Sequence, residues 1–193
     1  MSINKLHISI MSAFNAIKMD GLGNDFVIFD ARNKNLSFSK QEIIKISDRK
    51  FVGCDQVILV KNDTDSDACL SFFNSDGEEA SACGNGSRCV SYLLGKEKNK
   101  NKIKIKTKSG ILNSDILEEK IVRMNIGKPK FLWSEIPLSE KMEPQNLKIE
   151  LSDLNNNVHK GGHAVNVGNP HAVFFVNNCD NFNLNKIGPK IEN

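Results

Sequence analysis

The sequence predicts an α+β fold, and three observations carry that reading. Many short segments have strand character, few show helical periodicity, and the pattern changes near Gly127. The change divides the chain into a first lobe and an incomplete second one.

In the first lobe, residues 14–19 and 26–30 are strand-like and flank the turn Asp20-Gly21-Leu22-Gly23-Asn24-Asp25. Ser39 with Glu42 three residues later forms a capping box, so a short helix carrying Ile43, Ile44 and Ile46 starts there. Residues 56–61 and 68–73 read as strands joined by the acidic turn 62–67, and Asp76-Gly77 marks another turn. A helix is expected over 85–94, because Cys89 and Leu93, and Val90 and Leu94, fall four apart on one face. Gly95 stands where a terminator belongs. Strands follow at 103–107, 111–117 and 121–126, with turns at Ser109-Gly110 and 118–120.

Beyond 127–130 the pattern loosens. Residues 133–147 are irregular and contain Pro137 and Pro144. Strands are expected at 148–151, 163–167 and 171–176, and the stretch 180–193 is polar. Residues 1–13 read as a disordered extension with Met11 as an alternative start. The lobes are accordingly drawn as 14–128 and 129–193.

Composition excludes several classes. With 39% hydrophobic and 25% charged residues, the balance is that of a soluble globular protein. No apolar run approaches the roughly 18 residues of a membrane helix, and residues 1–10 carry no signal-peptide pattern. A net charge of +3 is too small to imply a nucleic-acid partner. Lys102, Lys104, Lys106 and Lys108 alternate with Ile103, Ile105 and Thr107, which reads as a solvated sheet face or a charge-protected edge. Five cysteines without CxxC spacing are expected to be free thiols in a reducing cytoplasm. Cys54, Cys69 and Cys179 read as small apolar residues or surface thiols.

The segment Cys83-Gly84-Asn85-Gly86-Ser87-Arg88-Cys89 carries the chemistry. Cys83 immediately precedes a Gly-x-Gly turn into the predicted helix. A helix N-terminus offers unpaired N–H groups and partial positive charge, so it binds a carboxylate and is expected to lower the pKa of a thiol placed there. Cys83 is therefore a candidate base beside a carboxylate cradle. Cys89, six residues on, points elsewhere and is expected in the core. Two other segments, Lys18-Met19-Asp20-Gly21-Leu22-Gly23-Asn24-Asp25-Phe26 and Val167-Gly168-Asn169-Pro170-His171-Ala172-Val173, are weak signals alone.

Together, and in this order, the GLGNDF loop, the CGNGSRC turn-helix and the GNPHAV strand resemble diaminopimelate epimerase. The resemblance implies two similar lobes, each a rolled, mainly antiparallel sheet around a central helix. It implies a cytoplasmic, homodimeric isomerase of lysine biosynthesis that interconverts LL- and meso-diaminopimelate with two cysteines and no cofactor or metal. By the same resemblance, Cys83 matches the first-lobe catalytic cysteine, and Gly84 and Asn85 match the backbone cradle for the α-carboxylate. Asn24, Gln56, Asn74 and Asn169 match substrate-binding positions, and His171 matches a histidine that tunes the cysteines. The family pattern continues past Asn193 to a Glu-Arg pair and a second cysteine in a Cys-Gly-Thr-Gly turn, and Cys179 has no such turn. The chain is thus expected to be a truncated piece, poorly soluble and inactive alone. The alternatives are an inactive ligand-binding fragment and a related proline-racemase-type isomerase.

Overall fold

The computed structural model describes residues 3–9, 13–136 and 138–192; the alternative start Met11 and Pro137 lie outside these residues. The chain groups into two units, Met1–Ile126 and Gly127–Asn193.

The first unit runs β1 (Ile3–Ser9), β2 (Ala13–Gly21), β3 (Asn24–Asp30), α1 (Lys40–Ser47), β4 (Gln56–Lys61), β5 (Ala68–Asn74), β6 (Glu79–Ala80), α2 (Gly84–Lys98), β7 (Lys102–Thr107), β8 (Gly110–Glu118) and β9 (Ile121–Asn125). One sheet holds these strands in the order β1-β2-β3-β4-β5-β7-β8-β9, with β6 beside β5. Pairing is antiparallel except at β3–β4 and β5–β7. A parallel pair needs a crossover rather than a tight turn. The chain between β3 and β4 includes α1, and that between β5 and β7 includes α2. Because α2 packs against β2, β3, β7, β8 and β9, the sheet curls around it.

Residues 3–9 do not form the disordered extension expected of them: β1 pairs with β2 from Ile3↔Met19 to Ser9↔Ala13. Its order comes from that pairing, which the local pattern of Ile-Asn-Lys-Leu-His-Ile-Ser does not announce.

The core follows from strand alternation. Phe26, Ile28, Ile58 and Val60 face α2 with Leu70, Phe72, Cys89, Val90 and Leu94. Val27, Phe29, Val57 and Leu59 face the other way, against Ile43 and Ile46 of α1. Strands buried on both faces read as unbroken apolar runs, which is why 26–29 and 57–60 do not alternate. Each fully buried large side chain contributes about 1.5–3 kcal/mol.

The capping box of α1 forms as expected, with Ser39 and Glu42 bonded reciprocally. The end of α2 differs. The helix passes through Gly95 to Lys98 and stops at Asn99, which is left-handed with φ 50°. Gly95 serves another purpose: a Cβ there would collide with Ile116 Cδ1 and lie 2.8 Å from the Lys100 carbonyl oxygen. It lets β8 and the following turn approach the helix. In β7 the lysines are exposed while Ile103, Ile105 and Thr107 are buried. β7 lies between β5 and β8, so its lysines line a face rather than an edge. Lys106 pairs with Asp63, and Lys98 and Lys100 pair with Asp67.

The second unit has two antiparallel pairs, β10 (Glu150–Ser152) with β11 (Val158–Lys160) and β12 (His163–Asn166) with β13 (Pro170–Val173). Lys130 bridges to Asn166. Ile136, Leu147 and Ala164 form a small core. The strand expected at 148–151 is the shorter β10, and β11 has no counterpart among the expectations. The polar stretch 180–193 contains a helix, α3 (Leu184–Glu192), with Pro189 inside it. Leu184, Ile187 and Ile191 share helical spacing there, diluted by polar neighbours. Among the described residues, no helix is long and apolar enough to cross a membrane.

Candidate active site

Cys83 is the N-cap of α2, with extended backbone at φ −145° and ψ 113°. Its Sγ accepts the N–H of Gly86 at 3.4 Å, and its carbonyl accepts that of Ser87 at 2.9 Å. The first turn of a helix has no internal acceptors for its N–H groups, and those of Gly86 and Asn85 act on the Cys83 sulfur. Gly84 is exposed.

Close packing sets the position of this helix end. A Cβ on Gly86 would lie 2.8 Å from Ile58, 3.0 Å from the Phe72 ring and 3.3 Å from the Phe26 ring. The α2 N-terminus therefore lies against β3, β4 and β5 at the end where Phe26 pairs with Gln56, and Gln56 with Asn74. Gln56 Nε2 donates to Asn74 Oδ1 at 2.8 Å. Gln56 Oε1 is buried and accepts no hydrogen bond among the described residues.

The β2–β3 turn brings Asn24 to the same place. Its Oδ1 is 3.8 Å from Cys83 Sγ and 3.4 Å from Asn85 Nδ2. In that turn Leu22 has φ 58° and Gly23 φ 83°. Asn24 Nδ2 donates to Asp55 Oδ2 at 2.9 Å. Asp55 and Asp25 also exchange backbone-to-carboxylate bonds, each 2.9 Å. Arg49 reaches both carboxylates and Lys18 reaches Asp25. Burial opposes ionisation of Asp25, yet Arg49 and Lys18 hold its carboxyl far below the usual range. Arg88, one turn into α2, donates to Asn85 Oδ1.

The expected depression of the Cys83 thiol does not appear. Burial pushes it up, and the N–H groups of Gly86 and Asn85 and the charge of Arg88 only partly offset this. Two weak N–H contacts do not replace the water that burial removes. Cys89 is fully buried, and burial pushes its thiol up to about 12.

Of the residues singled out in the sequence, Asn24, Cys83, Gly84 and Asn85 cluster at the α2 N-terminus, with Gln56 and Asn74 paired at the adjoining end of the sheet. Asn169 and His171 lie in the second unit, exposed beside the β12–β13 turn, with His171 Nδ1 3.0 Å from the Asn169 carbonyl oxygen. Lys18, Asp25, Arg49, Asp55 and Arg88, to which the motifs give no role, join the cluster at the α2 N-terminus through their side chains. Arg49 joins through pairings 24 and 6 residues apart, outside every recognisable motif. Among the described residues, no group of three or more His, Cys, Asp or Glu is placed to hold a metal.

A sequence model of the family described as diaminopimelate epimerase matches residues 16–132. The chain belongs to the diaminopimelate epimerase family. It is 56% identical over 178 residues to a diaminopimelate epimerase of Pelagibacter ubique (strain HTCC1062), covering 92% of this chain and 65% of that one. It is 39% identical over 177 residues to that of Acidiphilium cryptum (strain JF-5), covering 91% and 62%. The chain thus spans a little under two thirds of the length of these curated relatives. Among solved structures, a probable proline racemase from Agrobacterium radiobacter K84 with bound carbonate aligns with a TM-score of 0.54 at 12% identity, over 81% of this chain and 51% of that one. That likeness is one of fold, the α+β architecture of a curled sheet with few helices.

Proposed function

We propose that this chain carries one side of an amino-acid epimerase site that acts on diaminopimelate, with Cys83 as a proton-transfer thiol. The observation that carries the reading is the placement of Cys83 Sγ at the N-terminus of α2, 3.8 Å from Asn24 Oδ1, in a chain of this family. The unit 1–126 acts as the first lobe and 127–193 contributes to the second. The N–H groups of Gly84 and Asn85 receive the substrate α-carboxylate, where negative charge grows as the α-proton leaves. Asn24, Gln56 and Asn74 hold the polar ends of the substrate, and Asn169 and His171 keep the substrate-binding and cysteine-tuning roles that the resemblance implies. The chemistry is proton transfer at carbon, and these residues supply it without a cofactor. In this reading the reaction belongs to lysine biosynthesis in the cytoplasm, and the working assembly is a homodimer.

Inversion needs an acid and a base on opposite faces of the α-carbon. Within this sequence, Cys83 is the cysteine that precedes a Gly-x-Gly turn, so the 193-residue chain is expected to exchange a proton on one face without inverting the centre. The test is LL-diaminopimelate in D2O with the purified chain. Retention of configuration, with α-deuterium uptake that disappears in Cys83→Ala, is the expected result, together with protection of Cys83 from iodoacetamide by diaminopimelate. Formation of the meso isomer would overturn the one-sided mechanism. Failure of diaminopimelate to protect Cys83 would overturn the assignment of the site.

A further inference from the structure

The geometry points to Asp55 as a positioning residue for Cys83: it fixes the side-chain amide of Asn24 so that the carbonyl oxygen, rather than the NH2 group, faces the sulfur. This deepens the reading above and rests on Cys83 being the proton-transfer thiol.

An ionised Asp accepts hydrogen bonds and donates none, whereas an Asn side chain has one accepting and one donating end. Asp55 Oδ2 lies 2.9 Å from the Asn24 amide nitrogen and 2.9 Å from the Asp25 backbone N–H. Asp55 Oδ1 takes Arg49 Nη2 at 2.8 Å. With donors on both of its oxygens, the carboxylate is held in place and accepts the NH2 end of Asn24. The other end, Oδ1, then faces Cys83 Sγ at 3.8 Å and Asn85 Nδ2 at 3.4 Å. The orientation of Asn24 thus follows from the chemistry of its acceptor-only neighbour.

The consequence falls on the sulfur. A carbonyl oxygen accepts from S–H and repels a thiolate, so Asn24 held this way keeps Cys83 protonated. The charged and titratable groups facing Cys83 are Arg88 and Cys89 on α2, and Asp55 from the segment before β4. Arg88 favours the thiolate. Asp55 disfavours it twice, through its own charge and through Asn24. In the ligand-free chain Asp55 and Asn24 therefore favour the thiol form of Cys83, which must lose its proton before the sulfur can act as a base.

The experiment measures alkylation of Cys83 by iodoacetamide against pH in the ligand-free chain, read at the Cys83 peptide by mass spectrometry. Four proteins are compared: wild type, Asp55→Asn, Asn24→Ala and the double variant. Asp55→Asn frees the Asn24 amide to turn its NH2 toward the sulfur. The midpoint should move to lower pH, and alkylation at pH 8 should rise about three- to tenfold, the worth of one neutral hydrogen bond. Asn24→Ala should move the midpoint in the same direction. In the Asn24→Ala background, Asp55→Asn should add clearly less than it does alone. Equal shifts in both backgrounds would show that Asp55 acts by charge alone and overturn the proposal. If Asp55→Asn does not fold, Asn24→Ala still decides the matter, because an unchanged midpoint there overturns the proposal. No diaminopimelate is present, so this outcome is independent of whether the substrate assignment holds.

Discussion

Gly86, in the first turn of α2, lies so close to β4 that a methyl group on it would come within 2.8 Å of Ile58 Cδ1. Alanine normally improves a helix by about 0.5–1 kcal/mol over glycine. Here that gain is outweighed by overpacking, which costs about 1–3 kcal/mol. Gly86→Ala is expected to lower the thermal midpoint and, by lifting the helix end, to alter the alkylation rate of Cys83. A raised midpoint would mean that Ile58 and Phe72 give way easily.

Leu22 is 86% exposed and has φ 58°. A left-handed conformation costs a residue with a Cβ about 1–2 kcal/mol, and asparagine tolerates it best after glycine. The two central residues, Leu22 and Gly23, both have positive φ, as in a two-residue hairpin turn that favours Asn-Gly. Leu22→Asn should therefore stabilise the chain by about 1 kcal/mol in a urea titration. Loss of stability would show that the leucine side chain makes a contact worth more than its strain.

Three of the five thiols, Cys179, Cys83 and Cys89, should differ in reactivity. Cys179 is exposed, Cys83 is half-buried with a raised pKa, and Cys89 is buried with a pKa of about 12. Because a raised pKa means less thiolate at any given pH, alkylation at pH 8 should run fastest at Cys179, slower at Cys83 and slowest at Cys89. Arg88→Gln removes a charge that favours the thiolate and should move the Cys83 midpoint to higher pH. Equal rates at Cys83 and Cys179 would contradict the burial argument.

Asp67 ties the start of β5 to its neighbours. It accepts the Lys104 N–H at 2.9 Å and pairs with Lys98 and Lys100. Burial raises its pKa, but Lys100, the Lys104 N–H and Lys98 outweigh this and bring the carboxyl down to about 2. A carboxyl depressed in the folded state stabilises it above the unfolded pKa of about 4, and that contribution disappears as the pH falls toward 2. Asp67→Asn should cost about 1–2 kcal/mol at pH 7. The difference from wild type should shrink between pH 4 and pH 2, as followed by urea denaturation at each pH.

The legible parts of the fold were those written in local chemistry. The Ser39–Glu42 box, the lysine alternation of β7 and the Gly-rich entry to α2 each state their structure within a few residues. What stayed hidden depends on distant partners. β1 exists by pairing with β2, and Gly95 looks like a terminator until Ile116 is seen against it. At the candidate site, the motifs marked Cys83, Asn24 and the Gly84-Asn85 cradle. The thiol shift runs opposite to the sequence expectation because helix-end charge is visible in a sequence whereas the depth of burial is not. Asp55, adjacent to Gln56, revealed its bond to Asn24 only when β3 and β4 were brought side by side.

The two parallel joints of the first sheet bear on how it forms. Hairpins such as β7–β8–β9 can close within microseconds from residues already neighbours in the chain. The β3–β4 and β5–β7 pairings instead join segments about 30 and 37 residues apart, by the Phe26↔Gln56 and Ala68↔Ile105 registers. Closing a loop of that span costs more chain entropy than closing a hairpin, so these pairings are expected to follow the hairpins. The late, slow step of folding should therefore be the docking of α2, which is also the step that delivers Cys83 to Asn24. A refolding chain would acquire its hairpins first and its chemistry last.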